Sequence, residues 1–329
     1  MLPITDRCSG RCAMCGVWRS EPRADMEPDF LRRLARSEHL LSGIRHVNIT
    51  GGEPLLHGEF SSFASILGDS FQQLREVTIS TSGLNVAEMD QLSPFRERLP
   101  EDVHLNLVIS MDGVGELHGR IRGVDCAWEK AVESLDRALV IADTFDALAV
   151  SINCTISREN HDAIGPAIQF ARDRGTAISL TYAATNDLYL RNDGPKHGGF
   201  RLVDAEKEAL AHYLRGLLGD ESFPVTQRHF LRMLCGMLRG EPRSSPCVHQ
   251  SMGVFLDLDG SVYPCGTAGH LRYGKLPDEP FSVIYRGREG RRIRRDLLAH
   301  VCPSCPSNSY YGLADDVWLE VLQTQRSGR

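Results

Sequence analysis

Between residues 2 and 182, short runs rich in β-branched residues alternate with stretches of helical spacing, and the pattern recurs six times. The strand-like runs are residues 2–5, 45–50, 76–80, 103–110, 147–156 and 177–182. Between them, Phe60, Phe63, Ile66 and Leu67 line one side of a helix over 59–71, and Ala131, Val132, Leu135, Ala138 and Leu139 one over 128–142. Helices are also expected over 28–41 and 160–174, and over 87–98 with a break at Pro94. Such alternation predicts an α/β fold: a parallel sheet joined by right-handed crossovers. Six units are fewer than the eight of a closed barrel, so a partial, TIM-like (β/α)6 barrel is expected.

In parallel α/β folds the chemistry sits on loops that follow the strands. Four motifs fall at such positions. Cys8-Ser-Gly-Arg-Cys12-Ala-Met-Cys15 follows the first strand, and Gly51-Gly52-Glu53-Pro54 the second. Thr81-Ser82-Gly83 follows the third, and Ser110-Met-Asp112-Gly113 the fourth. All four therefore face one rim. Three close thiolates leave two readings open. They are half of a zinc site completed by a distant ligand, or they hold three corners of a [4Fe–4S] cube and leave one iron free for a small molecule.

The spacing C-x3-C-x-Φ-C, with Met14 as the apolar Φ, followed by the Gly-Gly-Glu-Pro turn, resembles the radical SAM superfamily. The resemblance implies that Cys8, Cys12 and Cys15 hold the catalytic cluster and that its open iron chelates S-adenosylmethionine. It further implies that the backbone of Gly51, Gly52 and Glu53 meets the methionine amino group. Glu53 adds a carboxylate beside that ammonium, or is a solvated residue in a Gly–Pro turn. Ser110 and Asp112 resemble the residues near the ribose, although Asp112-Gly113 is also a common turn. Ser82 stands where relatives carry Asn in a Thr-Asn-Gly turn. Asn153 and Ile156, and Leu180 to Tyr182, occupy positions that cradle the adenosine or simply pack the barrel. His118, Arg120 and Arg122 resemble a pattern of relatives with a SPASM domain. An Arg there, such as Arg122, pairs with a carboxylate of cofactor or substrate, or caps the loop.

A second group comprises Cys247, Cys265, Cys302 and Cys305. The alternating run 253–263 turns at Asp259-Gly260, a hairpin signal. The hairpin brings Cys247 and Cys265 together, and Cys302-x2-Cys305 closes the site. Four thiolates saturate either zinc or a cluster, and spacing does not choose between them. The pattern resembles the auxiliary-cluster domains of radical SAM enzymes. No cysteine follows Cys305, so the shortened "twitch" form with one cluster is implied. Two [4Fe–4S] clusters in all are then expected, the second serving electron transfer and structure. Cys126, Cys154 and Cys235 are left over as small buried hydrophobes.

The organisation expected is a radical SAM core over 1–185, a bridging helical region over 186–245 and an auxiliary-cluster domain over 246–329. Pro242 to Pro246 marks the boundary. Net charge is −6 with both signs interspersed, which argues against nucleic-acid or membrane partners. Only four of the 37 basic residues are Lys, so Arg runs such as 291–295 read as solvated helix faces. No apolar run approaches the roughly 20 residues of a membrane span. A cysteine cluster at position 8 does not fit a signal peptide. Seven of the ten cysteines lie in metal-type spacings, so a reducing, cytoplasmic setting is expected.

The resemblance implies reductive cleavage of S-adenosylmethionine to a 5′-deoxyadenosyl radical, fed by a flavodoxin- or ferredoxin-type donor. The expected small-molecule substrate is a polar natural-product intermediate of antibiotic biosynthesis: a sugar, aminocyclitol or nucleoside. It is dehydrogenated or decarboxylated, which makes the enzyme an oxidoreductase or a lyase. A peptide-modifying maturase is the alternative. A non-catalytic zinc-ribbon protein is a third reading.

Overall fold

The computed structural model describes residues 1–21, 24–37, 39–194, 199–244 and 252–297, together with 247, 249, 305 and 306. Six strands form one sheet in sequence order: β1 (Leu2–Thr5), β2 (His46–Gly51), β3 (Glu76–Thr81), β4 (His104–Ser110), β5 (Leu148–Ile156) and β6 (Ala177–Tyr182). Every neighbouring pair is parallel. Helices α1 (Pro28–Ser37), α2 (Phe60–Ser70), α3 (Leu92–Glu97), α4 (Glu116–Arg122), α5 (Ala127–Ala142) and α6 (Ile164–Asp173) lie between them. The α/β layering read from the sequence is thus present.

Successive residues of each strand alternate between two environments. Val47, Ile49, Val77, Ile79, Leu105, Leu107, Ile109, Ile152, Ile156 and Leu180 are buried in the main core. The alternate positions carry amides and hydroxyls that join in rungs across the other face. Ser80 Oγ donates to Asn48 Oδ1 (3.3 Å), Ser151 Oγ to Asn106 Oδ1 (3.3 Å) and Ser179 Oγ to Asn153 Oδ1 (2.9 Å). Closed eight-stranded barrels fill that inner space with branched apolar side chains. Here it is polar.

Several boundaries differ from the periodicity, each for a local reason. The 28–41 stretch splits into α1 and a 3-10 turn, His39–Gly43. Over 87–98 a 3-10 turn, Val86–Gln91, precedes α3. Pro94 then sits in the first turn of α3, where its missing N–H costs little, so the break falls before it. The 160–174 helix starts only at Ile164 because Asn160 is used elsewhere. Its Oδ1 accepts from Ser157 N (2.7 Å) and its Nδ2 donates to the Asp112 carbonyl (2.6 Å). Helix α4 was not evident from the sequence. It ends at Gly123, whose φ of 63° is the left-handed conformation that closes helices.

Beyond β6, α7 (Asp204–Gly216) and α8 (Val225–Leu238) pack Leu210, Leu214, Phe230 and Leu231 into the same core. Gln227 Nε2 on α8 donates to the Leu180 carbonyl (3.0 Å), which ties this region to β6. Strands β7 (Phe255–Leu256), β8 (Ser261–Tyr263) and β9 (Gly274–Lys275) form a small antiparallel sheet. Its first turn is at Asp259-Gly260, where Gly260 adopts φ 85°. Leu256 N donates to the Met1 carbonyl (3.2 Å), which sets β7 beside β1. Helices α9 (Phe281–Arg286) and α10 (Arg288–Asp296) follow. Arg291, Arg292 and Arg295 on α10 are exposed, as a solvated face requires. Of the proposed boundary at Pro242 to Pro246, residues 245 and 246 lie outside the described residues. Among the described residues no helix is long and apolar enough to cross a membrane.

The leftover cysteines divide. Cys154 and Cys235 are buried, as expected, but Cys126 is exposed. It caps α5 from a left-handed backbone position (φ 54°), at the surface and outside the core.

Candidate active site

The cysteine loop after β1 is fixed from three sides. Arg11 N and Ala13 N donate to the carbonyls of Arg122 (2.8 Å) and Ile121 (2.9 Å) at the end of α4. Gly16 N donates to the Leu190 carbonyl (2.7 Å), and Asn192 Nδ2 to the Met14 carbonyl (2.6 Å). The third side is the Gly-Gly-Glu turn. Gly52 N donates to the Thr5 carbonyl and Glu53 N to that of Arg7, both at 2.7 Å. A Cβ on Gly52 would stand 2.2 Å from the Arg7 carbonyl oxygen, and one on Gly51 equally close to that of Thr5. Only glycines let these two loops meet.

Cys8, Cys12 and Cys15 line one cavity of about 740 Å³ at the rim formed by the strand ends. Burial, reinforced by the neighbouring thiols, pushes Cys8 up to about 12 and Cys15 to about 11. Unaided, these sulfurs keep their protons, and bound metal is what displaces protons from such thiols. Among the described residues no three Cys, His, Asp or Glu side chains converge as a single-ion site. Three thiols that line one open space without converging on a point fit separate corners of a cubic cluster.

Glu53 corrects one of the two sequence-based alternatives. It is 0 % exposed, so it is not a solvated turn residue, and it is not among the cavity-lining residues. Its carboxylate accepts from Thr81 Oγ1 (2.8 Å), Ser82 N (2.8 Å) and Ser82 Oγ (2.5 Å). It thus holds the β3 turn against the β2 turn and places Ser82 at the cavity. Burial pushes its carboxyl up, against these hydrogen bonds. Glu53→Gln puts an N–H donor among donors. The expected cost is about 1–3 kcal/mol, read as a lowered unfolding midpoint.

Asp112 is buried at the end of β4, and its Oδ2 pairs with Arg122 Nη2 at 2.7 Å. Its Oδ1 accepts from Thr155 N (2.8 Å), and its own N–H donates to His118 Nδ1 (3.1 Å). Arg122 also points Nη1 at Cys12 Sγ (3.6 Å). Burial opposes the Arg122 charge, but Asp112 and the Cys12 sulfur outweigh it and hold the guanidinium charged. The carboxylate partner of Arg122 is therefore a residue of the chain itself. Burial depresses His118 to about 3, so it is a neutral hydrogen-bond acceptor. Arg120 is exposed.

Ser110, Asn153, Thr181 and Tyr182 line the cavity. Ile156 and Leu180 are fully buried in the core instead, on the packing face of their strands. At the far end of the same cavity lie Cys247, Cys265 and Cys305. Thr267 Oγ1 stands 3.2 Å from Cys265 Sγ and 3.9 Å from Cys305 Sγ. Cys302 lies outside the described residues.

Sequence reasoning missed a strap over 186–192 that joins the two cysteine groups. Asn186 and Asn192 staple it. Asn186 N donates to Asn192 Oδ1 (2.8 Å) and Leu190 N to Asn186 Oδ1 (2.6 Å). Its Leu190 carbonyl holds the residue after Cys15, while Tyr189 N donates to the carbonyl of Gly266 (3.2 Å), the residue after Cys265. The Tyr189 hydroxyl bonds Thr50 Oγ1 at the end of β2. The one available signal was a pair of asparagines six residues apart in a segment without periodicity.

Against known proteins, the profile of the radical SAM superfamily matches residues 2–171, more than half of the chain. The chain belongs to the radical SAM superfamily. A second profile, an iron–sulfur cluster-binding domain of the SPASM type, matches residues 247–306. The zinc-ribbon alternative falls with these matches. The cofactors of such an enzyme are [4Fe–4S] clusters and S-adenosylmethionine.

Similar curated sequences include the GTP 3',8-cyclase of Synechococcus sp. (strain CC9902), 28% identical over 276 residues, covering 80% of this chain and 77% of that one. The GTP 3',8-cyclase of Nitrobacter winogradskyi is 30% identical over 191 residues, covering 54% and 50%. The chain spans about half the length of this and several other relatives. Among solved structures, native anSMEcpe with bound AdoMet superposes with a TM-score of 0.65 at 14% identity, covering 100% and 99% of the two chains. The same protein with AdoMet and the Cp18Cys peptide gives 0.61 at 16%, with the same coverage. These superpositions establish the shared fold.

Proposed function

We propose that Cys8, Cys12 and Cys15 hold the cluster that S-adenosylmethionine chelates, and that Cys247, Cys265, Cys302 and Cys305 hold an auxiliary one. Between them the enzyme takes a hydrogen atom from a small polar natural-product intermediate, a sugar, aminocyclitol or nucleoside. One observation carries this reading: a single cavity has both cysteine groups on its walls and amides and hydroxyls between them.

Bound there, cluster and cofactor supply a 5′-deoxyadenosyl radical. The chain's own residues bind, orient and exclude water. The backbone of Gly51 and Gly52, with Ser82, borders the methionine end. Ser110, Asn153 and Tyr182 border the nucleoside end. Asp112 keeps Arg122 beside Cys12, a fixed positive charge next to a sulfur that would hold the cluster. An auxiliary cluster at the far end would accept a second electron if the net reaction is an oxidation, and a flavodoxin- or ferredoxin-type protein would deliver the first. Residues 1–185, 186–245 and 246–329 would act as core, bridge and auxiliary domain, in the cytoplasm.

The test is anaerobic incubation of reconstituted protein with S-adenosylmethionine and dithionite. Release of 5′-deoxyadenosine is expected, and its absence from cluster-replete protein would sink the reading. Turnover of a short peptide, with sugars and nucleosides inert, would favour a maturase instead.

A further inference from the structure

We infer that the molecule processed in this cavity is an uncharged, hydroxyl-rich ring, and that Asn48 on β2 and Ser80 on β3 bind it. The inference rests on the proposed reading of the cavity as the substrate site, and it narrows that reading.

The charge of the walls comes first. Among the described residues the only lining carboxylate is Asp112, and it is locked onto Arg122. Glu53 is turned away into the β3 loop. A ring ammonium in this space would find no carboxylate to face, and a desolvated charge without a partner is costly. No lysine lines the cavity among the described residues, and only two arginines do. Arg122 is engaged by Asp112, and Arg243 directs Nη1 to the Cys305 carbonyl (3.0 Å). A triphosphate, carrying about four negative charges, would meet two guanidiniums and no lysine among the described residues, one of the two already paired with Asp112. Among the described residues the lining is thus poorer in cations than the GTP in the relatives' name would call for.

The neutral polar groups come second. Ser80 Oγ spends its proton on Asn48 Oδ1 (3.3 Å), so the serine oxygen still accepts. Asn48 Nδ2 has no protein partner among the described residues and borders the cavity, so it still donates. Asn186, which lines the same cavity and is only 4 % exposed, has a buried Nδ2 with no partner among the described residues. These groups offer donors and acceptors in alternation, the pattern a vicinal diol satisfies. Asn48 and Ser80 sit inward of the Gly51–Glu53 and Thr81–Gly83 turns, on strands other than those of Ser110, Asn153 and Tyr182. A ring held there would use strands other than those proposed to border the nucleoside end of the cofactor.

The experiment is equilibrium dialysis of anaerobically reconstituted protein, with S-adenosylmethionine present, against three probes: uridine, 2-deoxystreptamine and GTP. Uridine should be retained and the other two should not. Asn48→Asp keeps the shape and adds a carboxylate. It should weaken uridine binding about tenfold and confer binding of 2-deoxystreptamine. Asn48→Val should lose uridine without gaining the amine, with an unfolding midpoint matching the parent to show that it folds. Preference for the amine or for GTP in the parent overturns the inference. So does retention of none of the three at millimolar concentration, or indifference to both substitutions. Iron content and 5′-deoxyadenosine formed without substrate report separately on the cysteine assignment. If those hold while the selectivity is reversed, only this inference fails.

Discussion

A Cys12→Ala enzyme, reconstituted anaerobically, is expected to bind about four irons where the parent binds about eight, and to release no detectable 5′-deoxyadenosine. The reason is geometric. Cys12 is the thiol to which Arg122 points, and it lies between two cysteines that line the same wall. Two remaining sulfurs cannot hold a cube, whereas the cysteines at the far end of the cavity are untouched. Iron analysis and absorbance near 400 nm check the first part, and product analysis the second. The matching Cys265→Ala protein should also lose about half its iron while still cleaving S-adenosylmethionine. Full iron with full cleavage in Cys12→Ala would refute the ligand assignment.

Asp112→Leu is expected to be the most damaging substitution outside the cysteines, lowering stability by about 3–5 kcal/mol. It strands Arg122 in a buried site, removes the acceptor of Thr155 N and leaves Cys12 beside an undirected guanidinium. Removing both charges, as in Asp112→Leu with Arg122→Met, should recover part of that loss, because no lone charge remains buried. The comparison is made on apparent unfolding midpoints of the four proteins. If single and double substitutions lose equally, the pair contributes nothing beyond packing. Cleavage of S-adenosylmethionine should stay impaired in the double variant even where stability returns. That split separates positioning from folding.

The strands were legible because each core-packing face carries an unbroken apolar half-pattern, as in Val77 and Ile79 or Leu105, Leu107 and Ile109. The rim motifs were legible because parallel topology sends every strand end to the same side. Three things were not. Helix α4 is seven residues long and contains Gly119, too short and too polar for periodicity to announce. The burial of Glu53 depends on Thr81 and Ser82, about 28 residues away, and nothing local marks it. The strap depends on contacts spanning 178 residues, from Asn192 to Met14. Local pattern reports what a residue prefers, while these features record which distant partner arrives.

The contact of β7 with the residue before β1 has a meaning of its own. A six-stranded open sheet ends in a row of backbone N–H and C=O groups that invites another chain to add itself. From within the same molecule, Leu256 N donates to the Met1 carbonyl, Met26 N donates to that of Ile4, and Thr5 bridges to Asp25, so part of that row is already engaged. The hairpin that carries the proposed auxiliary site thus shares, with residues 24–26, in shielding this edge. Residues 1–245 expressed without it would lose the Leu256 contact at Met1 and leave the start of that edge bare.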